Sequence, residues 1–385
     1  MLNFGLPDIN HTMKRVALFL VLGFAALLAC NPRGGGSNAE KDSAIATLKL
    51  VSTPFFYTQL KGNVDNQPIT MQLLKTTPGM YRGYYSFDTS GQPITIWGNG
   101  DSGLVKIYEE SIDPENERFF SGSLDDAGNF KGVWHGNGTS RHFSLETAMK
   151  DAIPFAVLYG TDSASLLPGN AHSPVGMASN SILWPQPVVT REVADFIEQQ
   201  LTASPLRDPQ QFLKRSIDSF LLGYKTSAGM VDSSELTDAS LSATWNWTSE
   251  NDMKVIHNKW PLLVIEKYGY AYTGGAHGNW GSSFVTMDLS KKRVVKPADV
   301  FKPGYKEAFS PLLEKAFRAK YKIGNDESIR ESLLTPSILP NDNFILTDKG
   351  VAFVYVPYEI GPYALGQVML YIPRSEIKDW FIQQQ

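Results

Sequence analysis

His277 stands in Tyr272-Thr273-Gly274-Gly275-Ala276-His277-Gly278-Asn279-Trp280, among three glycines and directly after the ladder Tyr268, Tyr270, Tyr272. A histidine in that setting has three possible roles. Catalysis requires a nucleophile to activate or a carboxylate to orient the ring, and no G-x-S-x-G, His-Glu-x-x-His or Cys–His pair nominates one. Glu359, in the later segment Pro357-Tyr358-Glu359-Ile360-Gly361-Pro362-Tyr363-Ala364-Leu365-Gly366, is the acidic candidate if the two segments meet. As a structural residue, the imidazole would hydrogen-bond loop backbone and fix a turn. As part of a binding surface, it would act with Tyr272, Gly274, Gly275 and Trp280 from its own segment and with Tyr358, Glu359 and Tyr363 from the second. Gly274 and Gly275 offer the positive φ that a tight strand exit needs. The prolines and glycines of the second segment predict an ordered loop rather than a strand.

Other chemistry-bearing patterns are weaker. Gly98-Asn99-Gly100-Asp101-Ser102-Gly103 has the letters of a dinucleotide loop, but it leads into the strand-like LVKIYEES, whereas a phosphate loop must open a helix. It predicts a hairpin. His135 and His142 flank Asn137-Gly138 and could face each other, yet two histidines without a third ligand do not make a metal site. No metal and no cofactor is expected. Cys30 is the only cysteine, so no internal disulfide and no thiol nucleophile is available.

That cysteine has its own setting. Met13-Lys14-Arg15 precedes the apolar run Val16 to Ala29 and then Cys30, the layout of a secretory signal. The run is shorter than the ~20 residues of a membrane span. Leu27-Leu28-Ala29-Cys30 resembles the lipobox of bacterial lipoproteins, which implies cleavage and lipidation at Cys30, with Met13 as the translation start. Residues 1–30 are thus expected to be signal and residues 31–45, NPRGGGSNAEKDSAI, a flexible tether.

The elements that must position the two motifs follow from periodicity. From 46 to 149, short alternating runs separated by turn pairs predict an antiparallel β-meander, whose exposed edges closure into a small barrel would remove. After Lys150 the pattern changes to α+β, with helices packed on an antiparallel sheet. Helices are expected at Thr190 to Ala203 and from the Asp208 cap to Gly223, with a third from Tyr305 to Tyr321, kinked or broken at Pro311. Strands are expected at Leu241 to Thr248, Met253 to Asn258, Leu262 to Thr273, Ser283 to Leu289, Phe344 to Leu346, Val351 to Val356 and Gln367 to Ile372. The sequence from Ser249 to Asp252 reads as a turn, and Ser375 as the cap of a last helix. Composition is ordinary: 42% hydrophobic, 19% charged, net charge −4. No basic surplus is present to meet phosphates, so nucleic acid is not an expected partner.

The two motifs, in this order and some eighty residues apart, resemble the RsiV-type C-terminal domain. The likeness covers about residues 241–381, including VMLYIPRSEIKDWF, and the stretch from about Lys150 to residue 240, read as helical, resembles the companion domain that precedes it. That family occurs in the lysozyme-sensing anti-sigma-V factor, in the non-catalytic part of some peptidoglycan deacetylases and in envelope lipoproteins. The resemblance implies an envelope module with a non-enzymatic, binding role. Sigma-factor regulation does not carry over, because the stretch before the β-meander reads as signal and tether alone. Deacetylation does not either, since neither His-x-x-x-His nor the paired aspartates of that chemistry occur.

The sequence therefore points to a bacterial cell-envelope protein, anchored to a membrane through lipid at Cys30 and facing the periplasm or the cell surface. Its expected ligand is a lysozyme-like protein or a peptidoglycan glycan, the latter stacking on aromatics such as Trp245, Trp247, Trp260 and Trp280. The competing readings are an envelope hydrolase acting on peptidoglycan or polysaccharide through His277 and an acidic partner, and an assembly component that docks on another envelope protein.

Overall fold

Alternation in residues 56–147 produces eight strands: β1 (Phe56–Val64), β2 (Gln67–Thr77), β3 (Met80–Phe87), β4 (Ile94–Asp101), β5 (Leu104–Glu109), β6 (Phe119–Leu124), β7 (Phe130–Gly136) and β8 (Thr139–Thr147). Each pairs with the next, and β1 also pairs with β8, from Leu60↔Thr147 to Val64↔Phe143, so the meander is a closed antiparallel barrel. Closure removes the free edges an open meander would expose. The computed structural model describes residues 50–77, 79–111, 114–203, 207–231 and 239–382. The signal, Met13, the tether and Cys30 lie outside them. Among the described residues no helix is long and apolar enough to cross a membrane.

Every second barrel residue points inward. Leu60, Ile69, Met71, Ile107, Phe120, Phe130 and Leu145 are wholly buried there. One inward group is a carboxylate, Glu109, which accepts hydrogen bonds from Tyr85 Oη (2.5 Å) and Trp134 Nε1 (2.8 Å) and lies 3.7 Å from Arg118. The glycine-rich stretch at 98–103 is the β4–β5 hairpin, with Ser102 and Gly103 at φ +52° and +84° as its two-residue turn. Positive φ at both positions matches the strand twist. His135 and His142 do not face each other: His135 pairs with Ser140, whose Oγ lies 3.0 Å from its Nδ1, and His142 pairs with Val133. On the outside, Trp97, Tyr108, Phe119 and His135 stand directly opposite one another across β4 to β7, a ladder of ring contacts that supports the sheet.

The chain then builds a second sheet. Here the expectation of a helical stretch from Lys150 is corrected: residues 155–165 and 175–185 are a long hairpin, β9 (Phe155–Ser165) and β10 (Val175–Pro185). FAVLYGTDSAS buries only part of its length, so its alternation is blurred by polar residues at the exposed end. Helices α1 (Arg191–Thr202), α2 (Pro209–Thr226) and α3 (Ala239–Thr244) follow, then β11 (Thr248–Lys259), β12 (Leu262–Tyr272), β13 (Asn279–Asp288) and the short β14 (Arg293–Val294). The sheet order is β14-β13-β12-β11-β10-β9. All its pairs are antiparallel except β10–β11, which run parallel from Met177↔Thr248 to Ser181↔Asp252. Two expectations are corrected here. Residues 239–244 are helical rather than strand, and the polar stretch Ser249 to Asp252 is strand rather than turn, because β10 supplies backbone partners that propensity cannot foresee.

Helix α2 starts where Asp208 accepts hydrogen bonds from the backbone N–H of Gln210 and Gln211, with Pro209 at its first position. It runs three residues beyond Gly223, since one glycine costs less than packing restores. Asp208→Ala is expected to lower stability by about 1 kcal/mol, measurable as a shifted denaturant midpoint. Val193, Ile197, Leu213, Ile217 and Leu221 on α1 and α2 pack on Ile182, Val255 and Ile265 of the sheet.

The last layer comprises α4 (Pro297–Val300), α5 (Tyr305–Tyr321), β15 (Phe344–Leu346), β16 (Gly350–Tyr355), β17 (Val368–Pro373) and α6 (Arg374–Ile377). Helix α5 is one helix despite Pro311, with Phe309, Leu313 and Phe317 buried against Phe353 and Leu370. Helix α6 begins at Arg374 after Pro373, so Ser375 lies inside the first turn and is not the cap.

Barrel and sheets meet along a polar seam. Glu266 accepts from Lys254 Nζ (2.5 Å), Tyr84 Oη (2.9 Å) and Ser282 Oγ (2.5 Å), all buried, and Tyr84 comes from the barrel. Asp252 faces Arg82 of β3 at 3.5 Å, and burial lifts its carboxyl above the usual range against the pull of Lys254 and Arg82. Farther along, Asn258 donates to Tyr57 Oη, which donates to Gln72 Oε1, which in turn bonds Gln59. Beside them His257 is held neutral: burial lowers it to about 4, Asp348 opposes the shift, and Lys259 and Lys61 add to it. The unfolded ring takes up a proton near pH 6.5, while the folded ring resists until about pH 4. Stability from this residue is therefore full above pH 6.5 and falls as pH drops towards 4. His257→Gln should remove that slope, so its stability relative to the unaltered chain should rise by about 1–3 kcal/mol between pH 7 and 4, as read from unfolding curves.

Candidate functional site

The two motif loops meet at one end of the sheet. Tyr268, Tyr270 and Tyr272 alternate along β12, and the strand ends at Gly274 and Gly275, with φ of +95° and +92°. Tyr272 Oη donates to the carbonyl of Gly275 at 3.0 Å and closes the turn. The chain re-enters the sheet at Asn279, opposite Ala271, earlier than the sequence had placed it. Gly278 is required there, because a Cβ would lie 2.5 Å from the ring of Tyr270.

The second loop joins β16 to β17. Glu359 organises it: its Oε2 accepts from the backbone N–H of Val356 at 3.0 Å, its Oε1 accepts from Asn341 Nδ2 at 2.8 Å, and its own N–H bonds the Val356 carbonyl. This holds Tyr358, a residue 54% exposed, at φ +72°, in the left-handed region. Pro362 then leads into the turn Tyr363–Leu365, and Gly366 (φ +69°) packs under the Trp280 indole.

His277 is the hinge between the loops. Its ring stacks on Tyr363 with centroids 4.0 Å apart and planes 23° from parallel. Its Nδ1 lies 3.0 Å from the Gly278 carbonyl, which also accepts from Tyr363 Oη at 2.7 Å. A carbonyl only accepts, so Nδ1 carries the proton and, in the neutral ring, Nε2 accepts from Tyr358 Oη at 3.3 Å. Both ring nitrogens are engaged, neither by a carboxylate. The hydrolase pairing of His277 with Glu359 is therefore not made: Glu359 spends both oxygens on Val356 and Asn341. Among the described residues no group of three or more His, Cys, Asp or Glu stands together as metal ligands.

The structure thus brings His277, Tyr358 and Tyr363 into one aromatic cluster, with Tyr272, Gly274 and Gly275 shaping its first loop and Trp280 and Glu359 supporting it. The other tryptophans go elsewhere. Trp245 and Trp247 stack on each other at 6.1 Å against the α2 core, and Trp260 is half exposed in the β11–β12 turn. Three residues that sequence reasoning missed stitch the second loop to the sheet. Asn341 bonds Glu359 and the Val354 carbonyl. Asn343 donates to the carbonyls of Ser282 and Val354 and accepts from Phe284 N, and Gln367 accepts from Ser282 N. Only Pro340-Asn341-Asp342-Asn343, rich in turn residues, hinted at them.

Comparison with known proteins gives the chain relatives. Residues 298–375 match the family described as a protein of unknown function, DUF3298. A solved DUF3298-family structure from Bacteroides fragilis is similar with a TM-score of 0.55 and 26% identity, covering 60% of this chain and 95% of that one. One from Pseudomonas aeruginosa gives 0.42 and 20%, over 61% and 97%. Among curated proteins, the peptidoglycan-N-acetylmuramic acid deacetylase PdaC of Bacillus subtilis (strain 168) is 23% identical over 135 residues, 34% of this chain and 29% of that protein. The match thus spans less than a third of that relative's length.

Proposed function

We propose that this chain, which carries a DUF3298 segment over residues 298–375, is a cell-wall-related envelope protein that binds a peptidoglycan glycan without transforming it, on the paired loops around His277, Tyr358 and Tyr363. The observation that carries this reading is Tyr358. A non-glycine residue in the left-handed region costs about 1–3 kcal/mol and persists where its surroundings fix it, most often at binding or catalytic sites. Here an exposed aromatic is held in that conformation by the Glu359 cap and the His277 contact. A ring so displayed offers a flat apolar face and a hydroxyl to a sugar, at little further entropic cost.

The choice of ligand is supported by the curated relative, whose name places its action on peptidoglycan N-acetylmuramic acid. The absence of a carboxylate on either His277 nitrogen favours binding over hydrolysis at this site. Attachment through lipid at Cys30, on the periplasmic or outer face, belongs to the same proposal. A lysozyme-like protein is the second ligand to test, since an exposed tyrosine between ordered loops is equally a protein contact. Calorimetric titration with peptidoglycan fragments and with lysozyme separates them. His277→Ala is expected to weaken glycan binding about tenfold or more with thermal stability nearly unchanged; unaltered affinity in a folded variant would remove the loops from the site.

A further inference from the structure

A second site lies on the seam, far along β11 from the paired loops. Between the barrel, β11 and the turn joining β15 to β16 is a cleft of about 270 Å³, the scale of a single sugar ring, just under the ~300 Å³ at which drug-sized sites begin. Its floor is rigid. Gln59 and Gln72 are buried, bonded to each other, to Tyr57 and to the Ala148 carbonyl. Its rim is closed by the loop after β3, which approaches the C-terminal hairpin only because residue 91 is glycine: at φ +65°, a Cβ there would lie 2.3 Å from Lys349 Cβ. Tyr371 Oη donates to the Ser90 carbonyl beside it.

The polar groups that face the cleft are unequally used. Lys259 pairs with Asp348 at 3.3 Å, and Asp88 accepts from Thr70. The imidazole of His257 has no hydrogen-bond partner among the described residues, and neither Lys61 nor Lys349 makes a close ion pair among them, although the Lys349 charge helps Lys259 hold the neighbouring Asp348 carboxyl low. Kept neutral by burial, the His257 ring presents one donor and one acceptor at pH 7. A preformed wall of hydrogen-bonding groups with surplus ammonium charge at its edge fits a ligand rich in hydroxyls that carries one carboxylate.

We propose that the cleft lined by Gln59, Lys61, Gln72, His257 and Lys349 is a binding site for a sugar acid of one ring, with Lys61 and Lys349 meeting its carboxylate and His257 a hydroxyl. The site shares no residue with the paired loops and stands independently of the glycan reading given to them; only the choice of one probe below borrows from it.

The test is calorimetric titration of the full chain with N-acetylmuramic acid and glucuronic acid, each beside its neutral counterpart, N-acetylglucosamine and glucose. At least one acid is expected to bind about tenfold or more tightly than its neutral counterpart. The double variant Lys61→Met, Lys349→Met should lose that preference while its melting temperature stays put, because both side chains are exposed. The Tyr358→Gly variant should bind the acid as the unaltered chain does. N-acetylmuramic acid alone binding identifies a cell-wall source, and glucuronic acid alone keeps the site while replacing that source. Failure of both acids to saturate at millimolar concentration, or equal binding of acid and neutral sugars, overturns the proposal even if the paired loops bind peptidoglycan.

Discussion

Glu266→Ala is expected to lower the unfolding free energy by about 3–5 kcal/mol, the usual cost of removing one member of a buried ion pair. Glu266 is 2% exposed and accepts from Lys254, Tyr84 and Ser282. Its loss leaves the Lys254 ammonium in the seam without a hydrogen-bonded carboxylate, with the charge of Asp252, which Arg82 shares, and the rings of Tyr84 and Tyr268 at 5.9 and 5.4 Å as its remaining neighbours. Ring contacts of that length do not replace a carboxylate. Because Tyr84 belongs to the barrel, barrel and sheet are expected to lose cooperativity together, giving a shallower denaturant transition as well as an earlier midpoint. The double variant Lys254→Met, Glu266→Leu should recover much of the loss, since two apolar groups of similar volume avoid the unpaired charge. A loss below about 1 kcal/mol in Glu266→Ala would show that water reaches the seam and that the pair behaves as an exposed one.

Tyr358→Gly is expected to act in two directions at once. Glycine adopts φ +72° without strain, so removing the side chain should stabilise the fold by up to about 1 kcal/mol after glycine's greater freedom in the unfolded chain is counted. Glycan affinity should fall about thirtyfold, as expected for an exposed aromatic anchor worth about 2 kcal/mol. Stability and affinity moving apart is the signature of a residue kept for contact. If Tyr358 were only packing, its loss would lower stability and leave any binding unchanged.

Much of this architecture was legible in the chain. The β-meander announced itself through turn pairs such as Asn137-Gly138 and through inward residues at every second position, because a closed barrel repeats one local rule. Asp208-Pro209 marked the start of α2 for the same reason: cap chemistry is local. What sequence could not show was non-local. The parallel partner that turns Ser249 to Asp252 into strand is β10, some seventy residues upstream, and β9 and β10 hid behind polar exposed ends. The site divided in the same way. Glycines 274 and 275 and the prolines of the second loop foretold two ordered turns, and the letters alone offered Glu359 as the acidic partner of His277. The fold instead gives His277 to Tyr358 and Tyr363 and gives Glu359 to its own loop, where Asn341 and the Val356 N–H occupy its two oxygens. The seam residues His257, Lys254 and Glu266 carried no motif at all, since their pairing depends on where the barrel comes to rest.

The central claim is that the paired loops are a glycan-binding surface, and calorimetric titration of the full chain and its Tyr358→Gly variant with soluble peptidoglycan fragments tests it most directly. The account predicts saturable binding to the unaltered chain and about thirtyfold weaker binding to a variant that melts no earlier. Equal binding by both proteins, or no binding by either, would contradict it.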